Sequence, residues 1–325
     1  MVRDIPFLEA SKRNILKFLN KKSAIILGYH GIYSKGPGFP IFTKMNSHLF
    51  EEQISFLAKN YNCISLAELK QQLQKGKISP YSIVITFDDG FANNYSEAFP
   101  ILKKYNVSAT IFVTAGLLDT PIFIWNDQVS AILSATMKTE VQFGSEKMKI
   151  RTPFEKKRAR FFIVTSLKQR SPLHIKKEIA NLQEKLQVSN EFLFNDALMQ
   201  HCFGILTKEQ VKEMHESGLI EIGSHGMTHS IISKLSDKEA LWEIEQSKKL
   251  LEEIIAHSVT SYAYPNGTLK DFTKFHRKTL AKVGFNCVLT TIVERITVGV
   301  DFMQLPRYCV SGEMSISGFK YLLTH

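Results

Sequence analysis

The sequence predicts an α/β fold, a distorted (β/α) barrel carrying a mainly helical insertion. Three observations lead there. Short apolar runs alternate with amphipathic helical stretches along most of the chain, the pattern of repeated βα units. The strongest run, Ser82–Phe87, is β-branched and almost unbroken in hydrophobicity, as expected of a strand buried on both faces. No GxGxxG or P-loop sequence advertises the nucleotide site that a doubly wound sheet usually carries, which favours the barrel.

The elements follow in order. Ala24–Tyr29 reads as a strand, and Asn46–Lys59 as a helix with Phe50, Ile54 and Leu57 on one face. Ser65 and Glu68 form a capping pattern that starts a helix to about Leu73. After strand Ser82–Phe87, Ala98–Tyr105 is helical and Ala109–Val113 is a strand. Thr207 with Gln210 caps a helix that stops at Gly218, before strand Ile220–Ser224. Ser236 with Glu239 caps a long helix whose Leu241, Ile244, Leu251 and Ile255 share a face. Ser261–Tyr264 and Cys287–Thr291 complete the strand set. Between Asp127 and about Leu206 the strand rhythm lapses: Glu155–Leu167 and the spacing of Ile175, Ile179, Leu182 and Leu186 are helical. We read 128–206 as an insertion in a single domain spanning 1–325, with its core at about 24–310.

Composition removes several function classes. At 44% hydrophobic and 22% charged residues, the 325-residue chain is neither disordered nor a coiled coil. A net charge of +10 favours anionic partners, yet no basic motif interleaved with aromatics appears, which argues against nucleic acid. The dense basic stretch Lys147 to Arg160 reads as a solvated face of a surface helix or hairpin. Four scattered cysteines suit neither a zinc ribbon nor a disulfide scaffold and read as free thiols of a reducing compartment. The N-terminus shows no signal-peptide pattern and no run of about 20 apolar residues exists, so a cytoplasmic location is expected. The basic amphipathic start, with Ile5, Phe7, Leu8, Ile15, Leu16 and Phe18, could touch a membrane or a partner peripherally. Oligomeric state is not legible.

Chemistry concentrates at two strand ends. Thr86-Phe87-Asp88-Asp89-Gly90 closes the best strand, at the end where barrels carry their active sites. Adjacent carboxylates repel and resist desolvation; a metal ion relieves both problems, binding one and leaving the other as a base. Alone, the pair is also a common solvated turn. The second feature is Gly223-Ser224-His225-Gly226-Met227-Thr228-His229, again after a strand. Two imidazoles at that spacing converge on one ion when the first sits at a strand end. Together the motifs offer three ligands and a spare base, which is what a catalytic metal site with an open water position needs.

Thr-Phe-Asp-Asp-Gly followed by His-x-x-x-His resembles the first two motifs of the polysaccharide deacetylase, or NodB-homology, family. Tyr29-His30 is similar to the opening of its biofilm poly-N-acetylglucosamine deacetylase branch. Ala109–Val113 resembles "ATFFV", Ile124-Trp125-Asn126-Asp127 a "WWD" segment, Ala263-Tyr264-Pro265-Asn266-Gly267 "AYPYG", and Leu305-Pro306-Arg307 "LPR". The ordered match covers roughly residues 24–310. The resemblance implies that Asp89, His225 and His229 hold a divalent metal, zinc by ligand type with cobalt, nickel or iron as alternatives. It implies Asp88 as the general base acting on metal-bound water, and the Asn266 backbone N–H as an oxyanion donor.

His30 is the preferred general acid; the late "LxxH" pattern of many members has a counterpart in Leu322–His325. Where the family's third motif carries a base-orienting arginine this chain has Ala263, and either Arg307 takes that role or it forms a structural ion pair. Phe123, Trp125 and Tyr264 are candidates for a sugar platform, with core packing as the competing role. His48, His174, His201, His215, His257 and His276 lack a partner motif, and most are expected to be solvated. The implied activity is removal of N-acetyl groups from an amino-sugar glycan or precursor. Alternatives are an O-deacetylase, another metallohydrolase on the barrel, or a noncatalytic carbohydrate-binding relative.

Overall fold

A computed structural model describes residues 22–324, so the amphipathic start and His325 lie outside the described residues. Twelve strands occur there: β1 (Ile25–Tyr29), β2 (Gly31–Tyr33), β3 (Lys44–Asn46), β4 (Asn62–Cys63), β5 (Ser82–Phe87), β6 (Ala109–Val113), β7 (Glu140–Phe143), β8 (Glu146–Lys149), β9 (Ile220–Ser224), β10 (Ser261–Ala263), β11 (Cys287–Leu289) and β12 (Tyr308–Cys309). Eight form one sheet, ordered β11-β10-β9-β6-β5-β1-β12 with β4 paired to the start of β5. Every pairing in it is parallel.

The sheet curls until its edges are joined by one segment. Leu305 exchanges hydrogen bonds with Val288 and Thr290 beside β11, at 2.8 and 2.9 Å. Three residues on, Tyr308 and Cys309 pair with Leu27 and Gly28 of β1. Satisfying both edge strands this way closes the distorted barrel and leaves few orphaned backbone groups.

Alternation along the strands divides the core. Ile83, Ile85 and Phe87 of β5 pack with Phe50, Ile54, Leu57 and Leu102 from the covering helices. Val84 points the other way, joining Ile26, Phe112, Ala263, Leu289 and Leu305. Burial of each such side chain contributes about 1.5–3 kcal/mol, enough to pin the register of β5 against a one-residue slip.

Helix starts follow the anticipated chemistry. The Thr207–Gln210 and Ser236–Glu239 capping boxes both form, opening helices Lys208–Glu216 and Asp237–Ile255. In the latter, Ala240, Ile244, Ser247, Leu251 and Ile255 face inward, whereas Leu241, expected on that face, is 36% exposed. Helix Phe99–Tyr105 is preceded by a wide π-turn, Asn94–Ala98, which the sequence pattern does not announce.

Between β6 and β9, helices Trp125–Ala135, Pro153–Leu167 and Pro172–Leu186 pack around a cluster of their own that includes Val129, Ile163 and Ile179. The antiparallel hairpin β7–β8 also lies there, interrupting a stretch expected to be mainly helical and leading into the basic run read as a surface helix or hairpin. Gly144, at φ 59, supplies its left-handed turn. No helix among the described residues is long and apolar enough to cross a membrane.

Candidate active site

Parallel strands deliver their C-terminal ends to one rim, and the predicted residues gather there. β5 runs into Asp88 and Asp89, β1 into His30, β9 into His225, and β10 into Tyr264. Three side-chain-bearing residues at this rim, Asp89, His229 and Asn266, hold positive φ values of 77, 59 and 66°. Such backbone is costly for non-glycine residues and concentrates at functional sites.

The two aspartates are sent in opposite directions. Asp88 receives a two-pronged ion pair from Arg307, Nη1 to Oδ1 at 2.7 Å and Nη2 to Oδ2 at 2.6 Å. Arg307 is fully buried; its Nε also donates to the Thr290 carbonyl at 2.9 Å. Burial pushes the Asp88 carboxyl up, but the Arg307 guanidinium outweighs it, with help from His225 and His30, and leaves it below the usual carboxylate value.

Asp89 turns to the histidines. Its Oδ1 lies 3.4 Å from His225 Nε2 and 3.1 Å from His229 Nε2. Burial opposes its ionisation, yet His229 and His225 hold its carboxyl well below the ordinary value. His225 Nδ1 sits 2.8 Å from the Ala263 carbonyl, which can only accept, so Nδ1 carries a hydrogen and Nε2 is the ring nitrogen turned towards Asp89. Facing the carboxylate, that nitrogen either carries a proton or offers its lone pair to a cation placed between them. Asp89 Oδ1 is also buried without a hydrogen-bond partner. Ligand atoms of all three residues lie within 4.8 Å of one another, so Asp89, His225 and His229 could hold a metal ion, and their donor set fits a divalent one.

The histidine loop is braced from two sides. Glu243 Oε2 accepts the backbone N–H of Met227 at 2.6 Å and of Thr228 at 3.0 Å. Ala115 and Gly116 N–H donate to the Gly226 and Met227 carbonyls, each at 2.9 Å. A Cβ on Gly116 would come 2.6 Å from the Met227 oxygen, so only glycine permits this approach.

His30 follows β1, with Nε2 3.9 Å from Asp88 Oδ2. Burial holds its imidazole below the usual histidine value despite the nearby carboxylates. The adjoining backbone is clamped from the β5 side: Asn94 Nδ2 donates to the His30 carbonyl at 2.7 Å, and Asn93 Oδ1 accepts Ile32 N–H at 2.9 Å. Nearby, buried Lys44 reaches Asp127 at 3.3 Å with its ammonium over the Phe91 ring.

Asn266 occupies a tight turn in which Gly267 N–H bonds the Pro265 carbonyl at 2.9 Å. Its side chain is held by Asp271 at 2.6 Å and by Lys168, while its own N–H meets no acceptor among the described residues.

The aromatic platform needs correction. Tyr264 is fully buried, its ring stacked 4.1 Å from Phe272, and Phe123 is enclosed by Phe194 and Phe203. Neither has a free face. Trp125 is half-buried and borders a cavity of about 420 Å³ also lined by Ile122, Phe194, Thr228, Ser230 and Ile231, where Thr228 and Ser230 flank His229 in sequence. His276, expected to be solvated, is buried and accepts Thr273 N–H at 3.0 Å, capping its helix. Glu243, Lys44 and Asn94 went unmarked by any motif.

This arrangement on a curled parallel sheet matches a known class. The polysaccharide deacetylase family model matches residues 75–288, and the chain belongs to that family of hydrolases, which act on N-acetyl amide bonds of sugars. It is 22% identical over 327 residues to the poly-beta-1,6-N-acetyl-D-glucosamine N-deacetylase of Staphylococcus epidermidis, covering 94% of this chain and 85% of that protein. Two solved structures share the fold. The Streptococcus pyogenes deacetylase PplD in complex with acetate superposes with a TM-score of 0.62 at 18% identity, covering 93% of this chain and 99% of that one. IcaB from Ammonifex degensii gives 0.58 at 16% identity, covering 94% and 98%.

Proposed function

We propose that the chain hydrolyses N-acetyl groups of an amino-sugar glycan or glycan precursor, with a divalent metal, zinc by preference, held by Asp89, His225 and His229. The observation that carries this reading is the division of labour between adjacent carboxylates: Asp89 with two imidazoles, Asp88 with a buried arginine.

The bound cation would supply Lewis acidity, acidifying water and drawing charge from the acetamide oxygen. The protein's groups do the rest. Asp88, kept ionised by Arg307, takes the proton of the attacking water. Arg307 holds both Asp88 oxygens, so the carboxylate does not rotate away between turnovers; it thereby serves where the family's usual arginine is Ala263. The Asn266 N–H, which meets no acceptor among the described residues, is a donor for the developing oxyanion. His30 delivers a proton to the leaving amine. Trp125 walls the neighbouring cavity. The relative from Staphylococcus epidermidis, a poly-beta-1,6-N-acetyl-D-glucosamine N-deacetylase, makes β-linked N-acetylglucosamine oligomers the first substrate to try.

The test is acetate release from such oligomers and from O-acetylated sugars in parallel, with chelated and metal-loaded protein. Asp88→Asn should abolish release while metal stays bound; His225→Ala should lose both. Full activity in either variant overturns the assignment, and release from esters alone replaces the amidase reading with an esterase one.

A further inference from the structure

The net charge of +10 is confined to one tract. Residues 147–177 hold eleven Lys and Arg against the single acid Glu155, while the other 294 residues carry thirty of each sign. The tract runs from β8 through helix Pro153–Leu167 into helix Pro172–Leu186, on the outside of the insertion. Lys149, Arg151, Arg158, Arg170, Lys176 and Lys177 are solvent-facing and form no ion pair with a carboxylate among the described residues.

The same tract is apolar on its outer face. Helix Pro153–Leu167 buries Ala159, Ile163, Val164 and Leu167, the ordinary inner stripe. Its opposite side presents Phe154, 66% exposed, and Phe161, 71% exposed, seven residues apart and therefore in line along the helix. Phe162 lies beside them, and Leu173, 80% exposed, projects from the next helix. A helix that only needed solubility would carry polar residues there. Cations surrounding outward phenylalanines match an anionic lipid interface: the charges meet headgroups and the rings enter the acyl boundary. A soluble polyanion would use the cations and leave the rings wet.

We propose that this face of the insertion docks the protein on an anionic membrane surface. The position is functionally apt. Arg170 and Lys176 of the tract also line the cavity bounded by Thr228 and Ser230 on either side of His229, so docking sets the membrane beside the site.

The experiment is co-sedimentation of the full chain with vesicles of phosphatidylcholine alone or mixed with phosphatidylglycerol. Binding is expected only to the anionic vesicles, weakening as salt screens the attraction. Phe154→Ser/Phe161→Ser should lower partitioning by about tenfold or more, and Lys149→Glu/Arg158→Glu likewise. Thermal melting and acetate release, both unchanged, would show that these variants fold. Three results overturn the proposal: no binding of wild type to anionic vesicles at low salt, undiminished binding by both variants, or a phenylalanine-independent attachment competed fully by soluble polyglutamate.

Discussion

Arg307→Ala is the sharpest perturbation of this architecture. The guanidinium makes two bonds of 2.7 and 2.6 Å to Asp88 and one of 2.9 Å to the Thr290 carbonyl, all inside the barrel. Its loss strands an almost fully buried carboxylate without a countercharge, and breaking such a pair costs about 3–5 kcal/mol. Against a total stability of about 5–15 kcal/mol, this predicts a melting temperature lower by about 4–7 °C in a chain of this size. The second consequence is kinetic. Burial, which the arginine now outweighs, would be opposed only by the histidines and would raise the Asp88 carboxyl, favouring a protonated group that cannot act as base. A fall in kcat/KM of about a hundredfold or more follows from losing general-base assistance. Arg307→Lys separates the effects: the charge survives, the fork does not, so stability should recover more than activity. Differential scanning calorimetry and steady-state acetate release measure the two. An Arg307→Ala protein within about 1 kcal/mol of wild type and about twofold of its kcat/KM would refute the reasoning.

His30→Ala should lower kcat by about 10²–10⁴ while metal content, read by atomic absorption, stays at wild-type level; an unchanged kcat returns the acid role to another group. Zinc at about a hundred times its Kd should stabilise the chelated protein by about 2.7 kcal/mol, and that gain should vanish in His225→Ala. Glu243→Ala deprives the Met227 and Thr228 N–H groups of their acceptor, a loss of about 2–4 kcal/mol. It should also weaken zinc affinity by about 10–100-fold, measured by competition with a chromophoric chelator; unaltered affinity would show that the loop holds its shape without it.

Much of this was readable from local chemistry. β5 and β6 are sequences whose side chains leave little alternative to a buried strand, and the Thr207 and Ser236 boxes are complete within four residues. The Asp-Asp and His-x-x-x-His pairs likewise place their own chemistry at strand ends. What escaped depends on contacts distant in sequence. β2, β3, β4 and β12 are two or three residues long and exist only through their partners. Arg307 was a candidate through its motif, but its fork on Asp88, 219 positions away, is a contact no local pattern specifies. Tyr264 looked available until Phe272 took its face. Leu241 follows helical spacing only approximately; the inward stripe runs through Ala240, Ile244 and Ser247 and leaves it at the margin. Glu243 is a single acid on a helix rich in acids, marked only by lying on the side that turns inward.

The segment that joins the barrel's two edges also carries Arg307 between its two pairing points, Leu305 and Tyr308. Shape and alignment are thus interlocked. β12 is the last strand of the main sheet in chain order, and the segment that leads into it brings the guanidinium to Asp88. A substitution that loosens this seam would therefore reach the buried carboxylate as well as the sheet.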